Sequence, residues 1–165
     1  MKFESPMLVV KDMEVSKAFY RRVLGLHVTA DLGANVELTG GLSLQTLESW
    51  AGFIEKDPAE IRFGGNAEEQ YFEEENFDPF LEKLAGMPEI RYVHAVKEFP
   101  WGQRVVRFYD PDGHIIEVGE SMKTVCRRFL DSGMTLEQIA QRMDVPLRMV
   151  KNLARRAEND AGARK

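Results

Sequence analysis

The side chains best suited to chemistry lie on short segments of alternating pattern. Glu117 falls among apolar neighbours in HIIEVGE (114–120). An inward carboxylate on such a strand needs a counter-charge, hydrogen-bond donors or a catalytic role, and Glu117 is the one candidate catalytic residue. Arg104 and Arg107 share QRVVRFYD (103–110) with two valines and read as partners for an anionic ligand or for nearby carboxylates. Gln45 in LSLQTLE (42–48) either lines a pocket or faces solvent. Trp50, Tyr71 and Trp101, with Phe53 and Tyr109, offer aromatic surface for a ligand or for the core. Trp101, between Pro100 and Gly102, has the loop setting that suits ligand capture. His114 follows Asp112-Gly113 in a turn and reads as structural, and His94 as a half-buried strand histidine with its bonds satisfied. No Ser/His/Asp set has workable spacing, and Cys126 lies outside the main domain, so a covalent nucleophile is not expected. Gly40-Gly41 and Gly64-Gly65 lack the Lys-Ser/Thr of a phosphate loop, which argues against a nucleotide cofactor.

These residues need a scaffold, and its order repeats. SPMLVV (5–10) reads as a strand. Asp12 caps a helix with Val15, Phe19, Val23 and Leu24 as its apolar stripe, and Gly25 stops it. Strands at 26–32, 35–39 and 42–48 follow, then a connection from Trp50 to Asn66. The second round has a strand at 69–73, with Glu69, Tyr71 and Glu73 on one face. A helix at 76–86 follows, with Asn76 as its cap and Phe80, Leu81 and Leu84 as its stripe. Strands at 91–97, 103–110 and 114–120 close the round, the last two joined by Pro111-Asp112-Gly113. Strand–helix–strand–strand–strand therefore occurs twice, as a repeat of pattern rather than of residue identity.

At 165 residues the chain suffices for one cored domain and an appendage, and 44% hydrophobic with 30% charged residues is an ordinary globular balance. No apolar run is long enough for a membrane span, and MKFESPMLVV does not resemble a signal peptide. The single cysteine excludes an internal disulfide framework; a cytoplasmic setting is expected. The net charge of −5 conceals a division. Residues 1–120 carry 12 Lys and Arg against 22 Asp and Glu, whereas residues 121–165 carry 10 against 5. Such a break marks a domain boundary, and the acidic body is a poor nucleic-acid ligand by itself.

Two segments resemble the vicinal oxygen chelate superfamily, which includes glyoxalase I, bleomycin- and fosfomycin-resistance proteins and extradiol dioxygenases. One is VKDMEVSKAFY (10–20) running on to VLGL (23–26); the other is FYDPDGHIIE (108–117). The resemblance covers residues 1–120 and implies an α+β fold of paired βαβββ modules (about 1–62 and 67–120) forming a cupped sheet, followed by a small all-helical extension at 121–165. It also implies four inward positions that can hold a divalent metal, commonly His or Gln, Glu, His and Glu. Here they fall on Ser5, on or near Gln45, on Glu69 and on Glu117, so Ser5 replaces the usual first ligand and only Glu117 clearly matches. Glu69, in an acidic run, reads equally as a solvated charge. An oxygen-rich set is weak for Zn or Fe(II) and somewhat better for Mg or Mn. The expectation is a small-molecule-binding protein without the family's usual metal set. A metal-dependent lyase, isomerase or dioxygenase using Glu117 is the alternative.

In the tail, Val125–Leu130 reads as a helix ended by Ser132-Gly133. Thr135 caps a second helix, Asp144-Val145-Pro146 breaks it, and a third follows over 147–156. Ile139, Ala140, Met143, Val145, Val150 and Leu153 resemble the apolar pattern of a helix-turn-helix, with Asp144 at the turn position where glycine is usual. Arg148, Lys151, Asn152, Arg155 and Arg156 would then lie on or near a recognition helix, which makes a ligand-sensing DNA-binding regulator the third reading. Packing of the basic tail on the acidic domain, in its own chain or in a homodimer, is favoured over DNA. Residues 158–165 look frayed.

Overall fold

The computed structural model describes residues 1–163, with side chains through Asn159. They form two compact units: Met1–Glu69 with Tyr109–Ile115, and Gln70–Phe108 with the chain from Ile116 onward.

In the first unit Asp12 separates β1 (Met7–Val10) from α1 (Met13–Leu24) because its carboxylate accepts the Val15 N–H at 3.0 Å, satisfying a donor of the first helical turn. Gly25 ends α1 at φ +70°, where a side chain would be strained. Strands β2 (Val28–Asp31), β3 (Asn35–Leu38) and β4 (Leu42–Thr46) complete a sheet of order β1-β4-β3-β2. Strand β1 runs parallel to β4, with Val9 opposite Gln45. Alternation buries Leu8, Val10, Val36, Leu38 and Leu44, and α1 adds Phe19, Tyr20 and Val23 to the core. Val15, expected in that stripe, is 50% exposed, and Tyr20 takes the inner position instead. The Trp50–Asn66 connection is also more ordered than its Pro and Gly suggest: α2 (Leu47–Phe53) leaves β4 directly, and a 3-10 turn follows at Pro58–Glu60.

The Pro-Asp-Gly turn is built on buried Asp110. Its Oδ1 accepts the backbone N–H of Asp112 and of His114, both at 2.9 Å, and its Oδ2 accepts the Tyr20 hydroxyl at 2.9 Å and lies 2.8 Å from His114 Nδ1. The turn thereby fastens to α1. His114 has the structural role its sequence position suggests.

The second unit repeats the first. β5 (Glu69–Glu74), α3 (Phe77–Ala85), β6 (Arg91–Glu98), β7 (Arg104–Tyr109) and β8 (Ile115–Glu120) give the order β5-β8-β7-β6, which matches the first sheet strand for strand. The repeat of sequence pattern is thus a repeat of topology, and the α+β class holds. Asn76 precedes α3 but makes no side-chain cap; its own N–H goes to Glu74 Oε1.

Three helices follow: α4 (Met122–Asp131), α5 (Leu136–Met143) and α6 (Leu147–Ala163). Their core joins Val125, Cys126, Phe129, Ile139, Met143, Val150 and Leu153. Thr135 and Gln138 cap α5 reciprocally, and Asp144 ends it in the left-handed region at φ 54° and ψ 45°, giving the expected helix-turn-helix. The third helix runs past the expected end at 156 to Ala163; residues 164 and 165 of the segment read as frayed lie outside the described residues. The tail belongs to the same compact unit as the second module. Arg128 of α4 reaches Gly102 O and Glu120, and Gly102, at φ +87°, leaves room for the Phe129 ring, since a Cβ there would lie 2.1 Å from it. No helix among the described residues is long and apolar enough to cross a membrane.

The Asp110 cluster predicts a pH signature. Burial alone lowers the His114 pKa, but the Asp110 hydrogen bond and charge outweigh it and raise it above 6.5; Asp110, despite burial, is held below 3.8 chiefly by His114. A histidine pKa raised on folding stabilises the fold fully below 6.5, and the contribution disappears as pH rises through the folded-state value. The Asp110 contribution is present above 3.8 and lost as pH falls. Urea unfolding followed from pH 6 upward should therefore show declining stability in the native chain and a flatter profile in His114→Asn. Parallel profiles would contradict the assignment.

Candidate functional site

Strands β7 and β8 flank a tight turn, and their charged residues are symmetric about it. Arg107 and Glu117 lie five residues before and after Asp112; Arg104 and Glu120 lie eight before and after. In an antiparallel hairpin such positions face each other, and a spacing of three within each strand sends the two pairs to opposite faces. The structure has both. Arg104 is on the face that α3 covers, its Nη1 2.7 Å from Asp78 Oδ1 and its Nη2 3.1 Å from Glu120 Oε1. Arg107 is on the other face, its Nη2 paired with Glu117 Oε2. The two arginines expected to act together are thus separated by the sheet. The twofold period of a strand decides this, and Arg104 is already committed to two carboxylates.

The open face of the second sheet centres on Arg107. Its Nη1 lies 3.2 Å from His94 Nε2 on β6, and its guanidinium stacks 5.4 Å over the Phe99 ring. His94 Nδ1 is 2.7 Å from the Ala95 carbonyl, which can only accept. The ring proton therefore sits on Nδ1, and Nε2 accepts from Arg107. The Glu117 side chain is 8% exposed and that of Arg107 23%, so the pair is largely withdrawn from water, with the arginine the more accessible partner.

Beside it runs an aromatic-polar chain. Trp101 stacks on Phe99 at 4.8 Å and donates Nε1–H to Gln103 Oε1 at 3.1 Å. Gln103 Nε2 donates to the Tyr71 hydroxyl at 2.9 Å, and Tyr71 donates to Glu73 Oε1 at 3.0 Å. Gly119 makes this crossing possible, since a Cβ there would come within 2.5 Å of Gln103 Nε2. Tyr71 is 49% exposed, yet its pKa is pushed up to about 12, first by desolvation and then by Glu73 and Glu117, against the opposing Gln103 bond. Neither His94 nor Gln103 was singled out for this face from sequence. The matched spacing about Asp112 and the alternation of β6 are the signals that would have found the arrangement.

The metal set implied by the resemblance fares differently. Ser5 Oγ is 3.0 Å from Ser43 Oγ. Both ends of the Gln45 amide are engaged: Oε1 accepts from Asn35 Nδ2 at 2.8 Å, and Nε2 donates to Ser49 Oγ. Glu69 is exposed, and Glu117 is compensated by Arg107. No group of three or more His, Cys, Asp or Glu among the described residues is arranged for a metal ion. A divalent cation on Glu117 would also meet the guanidinium at ion-pair range, a repulsion of several kcal/mol even with substantial screening. These residues do not fit the metal. Of the remaining aromatic candidates, Trp50 is half-buried on α2, Phe53 is exposed at its end, and the Tyr109 hydroxyl donates to Asn66.

Comparison with known proteins follows the two-part organisation. Residues 3–123 match the Glyoxalase-like domain family, and residues 119–158 match Sigma-70, region 4. A protein of unknown function from Agrobacterium tumefaciens str. C58 is similar at 35% identity over 74% of this chain and 95% of that one, with a TM-score of 0.65. A glyoxalase/bleomycin resistance protein/dioxygenase from Nocardioides shares the fold at 20% identity, covering 73% of this chain and 83% of that one, TM-score 0.58. A lactoylglutathione lyase from Agrobacterium tumefaciens shares it at 23% identity, covering 73% and 93%, TM-score 0.54. No curated protein matches the chain in sequence.

The Arg107–Glu117 pair makes a direct prediction about stability. Arg107→Met strands a buried carboxylate and should cost about 3 kcal/mol in chemical denaturation, while the double variant Arg107→Met, Glu117→Met should recover most of that loss. Strictly additive losses would show that the two residues do not act as a pair.

Proposed function

The chain belongs to the glyoxalase-like family, and from that premise we propose that it binds a small organic anion on the open face of its second sheet, without the family's metal. The observation that carries this reading is the Arg107–Glu117 ion pair. In the family's scheme Glu117 is a metal ligand; here a guanidinium takes the place of the cation.

A guanidinium has five N–H donors in a rigid fork; Glu117 and His94 meet its two terminal nitrogens, and the side chain keeps 23% of its surface exposed. Such a fixed cation suits a carboxylate or similar oxyanion, which gains a charge-assisted contact from a donor already held in place. Tyr71 and Trp101 offer adjoining aromatic surface, so the favoured ligand carries an apolar or aromatic portion beside its anionic group. Glu117 orients the guanidinium, His94 steadies the other side of the fork, and Phe99 lies against it. This is an arrangement for capture rather than turnover, because the acid–base candidate is committed to its own chain. The metal-dependent alternative lacks a donor set in these residues.

Isothermal titration with benzoate and phenylphosphonate as anionic probes, and benzamide and benzyl alcohol as neutral ones, tests the proposal. Saturable binding of an anion by the native chain is expected, with affinity reduced roughly tenfold in Arg107→Lys, which keeps the charge and removes the fork. Equal binding of the neutral probes, or an unchanged affinity in that variant, would overturn it.

A further inference from the structure

A cleft of about 450 Å³ lies within the second unit, where the end of β5 meets α4 and α6. That volume is in the range of small-molecule sites. From β5 it receives Glu73 and Glu75, and from the start of α4 Ser121 and Lys123. Leu153, Arg156 and Asn159, three residues apart along one side of α6, complete the lining. Arg148, Lys151 and Arg155 are exposed on α6 away from its buried stripe of Val150, Leu153, Ala154 and Ala157. Arg156, grouped with them in the sequence, lines the cleft instead.

The start of α4 is left without a cap. The Ser121 N–H goes to Glu74 O at 2.9 Å, which holds the helix start against β5. Its hydroxyl stands at the N-cap position but bonds to no N–H of the first turn. Ser121 is only 5% exposed, its hydroxyl has no partner among the described residues, and it lines the cleft. A hydroxyl so buried ordinarily has one. The Val125 N–H bonds to Ser121 O at 3.0 Å, and the N–H groups ahead of it have no carbonyl inside the helix. No acidic residue in the first turn offsets the positive helix end. An open helix end and a buried hydroxyl without a partner therefore border one space, and both suit an oxyanion. Arg156, which makes no ion pair among the described residues, adds a cation beside them.

The carboxylates decide which oxyanion. Glu73 and Glu75 balance Lys123 and Arg156, and Lys123 already pairs with Glu75. A phosphate would meet two carboxylates in a lining of no net charge, and a purely cationic ligand would meet Lys123 and Arg156. A molecule that carries both signs meets neither objection. We propose that this cleft binds a free α-amino acid. The α4 N-terminus, the Ser121 hydroxyl and Arg156 take its carboxylate, and Glu73 takes its ammonium. Glu73 Oε1 accepts the Tyr71 hydroxyl at 3.0 Å, and a carboxylate has further lone pairs for a second donor. Leu153 and Asn159 border the space left for the side chain. Neither Arg107 nor Glu117 lines the cleft, so this site does not depend on the anion site proposed above.

Thermal-shift measurement of the full chain with each common L-amino acid at millimolar concentration, followed by isothermal titration of those that stabilise it, is the test. At least one should bind saturably. Its N-acetyl derivative and its methyl ester should each bind roughly tenfold more weakly, since each keeps only one of the two charges. Arg156→Gln should lower the affinity roughly tenfold with unchanged circular dichroism. Ser121→Ala should lower it in the same direction, and the helix should survive the change because Ser121 makes no cap bond. No binding by any amino acid, equal binding of the N-acetyl derivative, inorganic phosphate binding at least as tightly, or an unchanged affinity in both variants would each overturn the proposal.

Discussion

A carboxylate buried on a sheet face must be compensated, and strand β8 carries one on each face. Glu117 and Glu120 are answered from β7 by Arg107 and Arg104, at positions equidistant from the Asp112 turn. This cross-strand arrangement fixes much of what surrounds it. It pins the hairpin register, because a slip of one residue would take both glutamates off their arginines, setting Glu117 against Val106 or Phe108, and turn every residue to the wrong face. It also gives the two faces of the sheet different work. Below, Arg104 reaches past Glu120 to Asp78 and ties α3 to the strands; above, Arg107 joins Glu117 to His94 of β6.

The same logic attaches the tail. Glu120 is shared between Arg104 and Arg128, and Glu98 between Arg128 and Arg142. The charge break near residue 120 therefore coincides with a change of element type but not with a structural separation, since the helices and the second module form one unit. The acidic body and basic tail are complementary at their junction. The surplus of positive charge is left on the far side of α6.

Legibility in the sequence followed the range of the interactions. The doubled strand order, the Asp12 cap, the Gly25 stop, the Asp110–Gly113 turn and the three tail helices were legible because capping, turn chemistry and periodicity act within a few residues. The start of α2 at Leu47 was not, because Thr46 does not cap it in the usual way: its hydroxyl meets the Ser49 hydroxyl at 2.7 Å instead of a backbone N–H. Val15 and Tyr20 exchanged roles because Tyr20, a residue that is commonly amphipathic, found a buried acceptor in Asp110, ninety residues away in the chain. Gln45 reads in sequence as facing either pocket or solvent, and its amide is instead engaged by Asn35 and Ser49. Arg104 and Arg107 look in sequence like one pair of like function, although their spacing of three on a strand implies opposite faces. The family's scaffold was therefore readable where the partners of its site residues were not, since nothing local in the sequence says that Glu117 meets Arg107 across the hairpin.

The central claim is that Arg107 stands where the family holds a metal. Equilibrium dialysis of the purified chain against Mn(II), Ni(II) and Zn(II), followed by metal analysis, tests it most directly. The account predicts no stoichiometric metal in the native protein. One equivalent per chain, lost on Glu117→Gln and unaffected by Arg107→Lys, would contradict it.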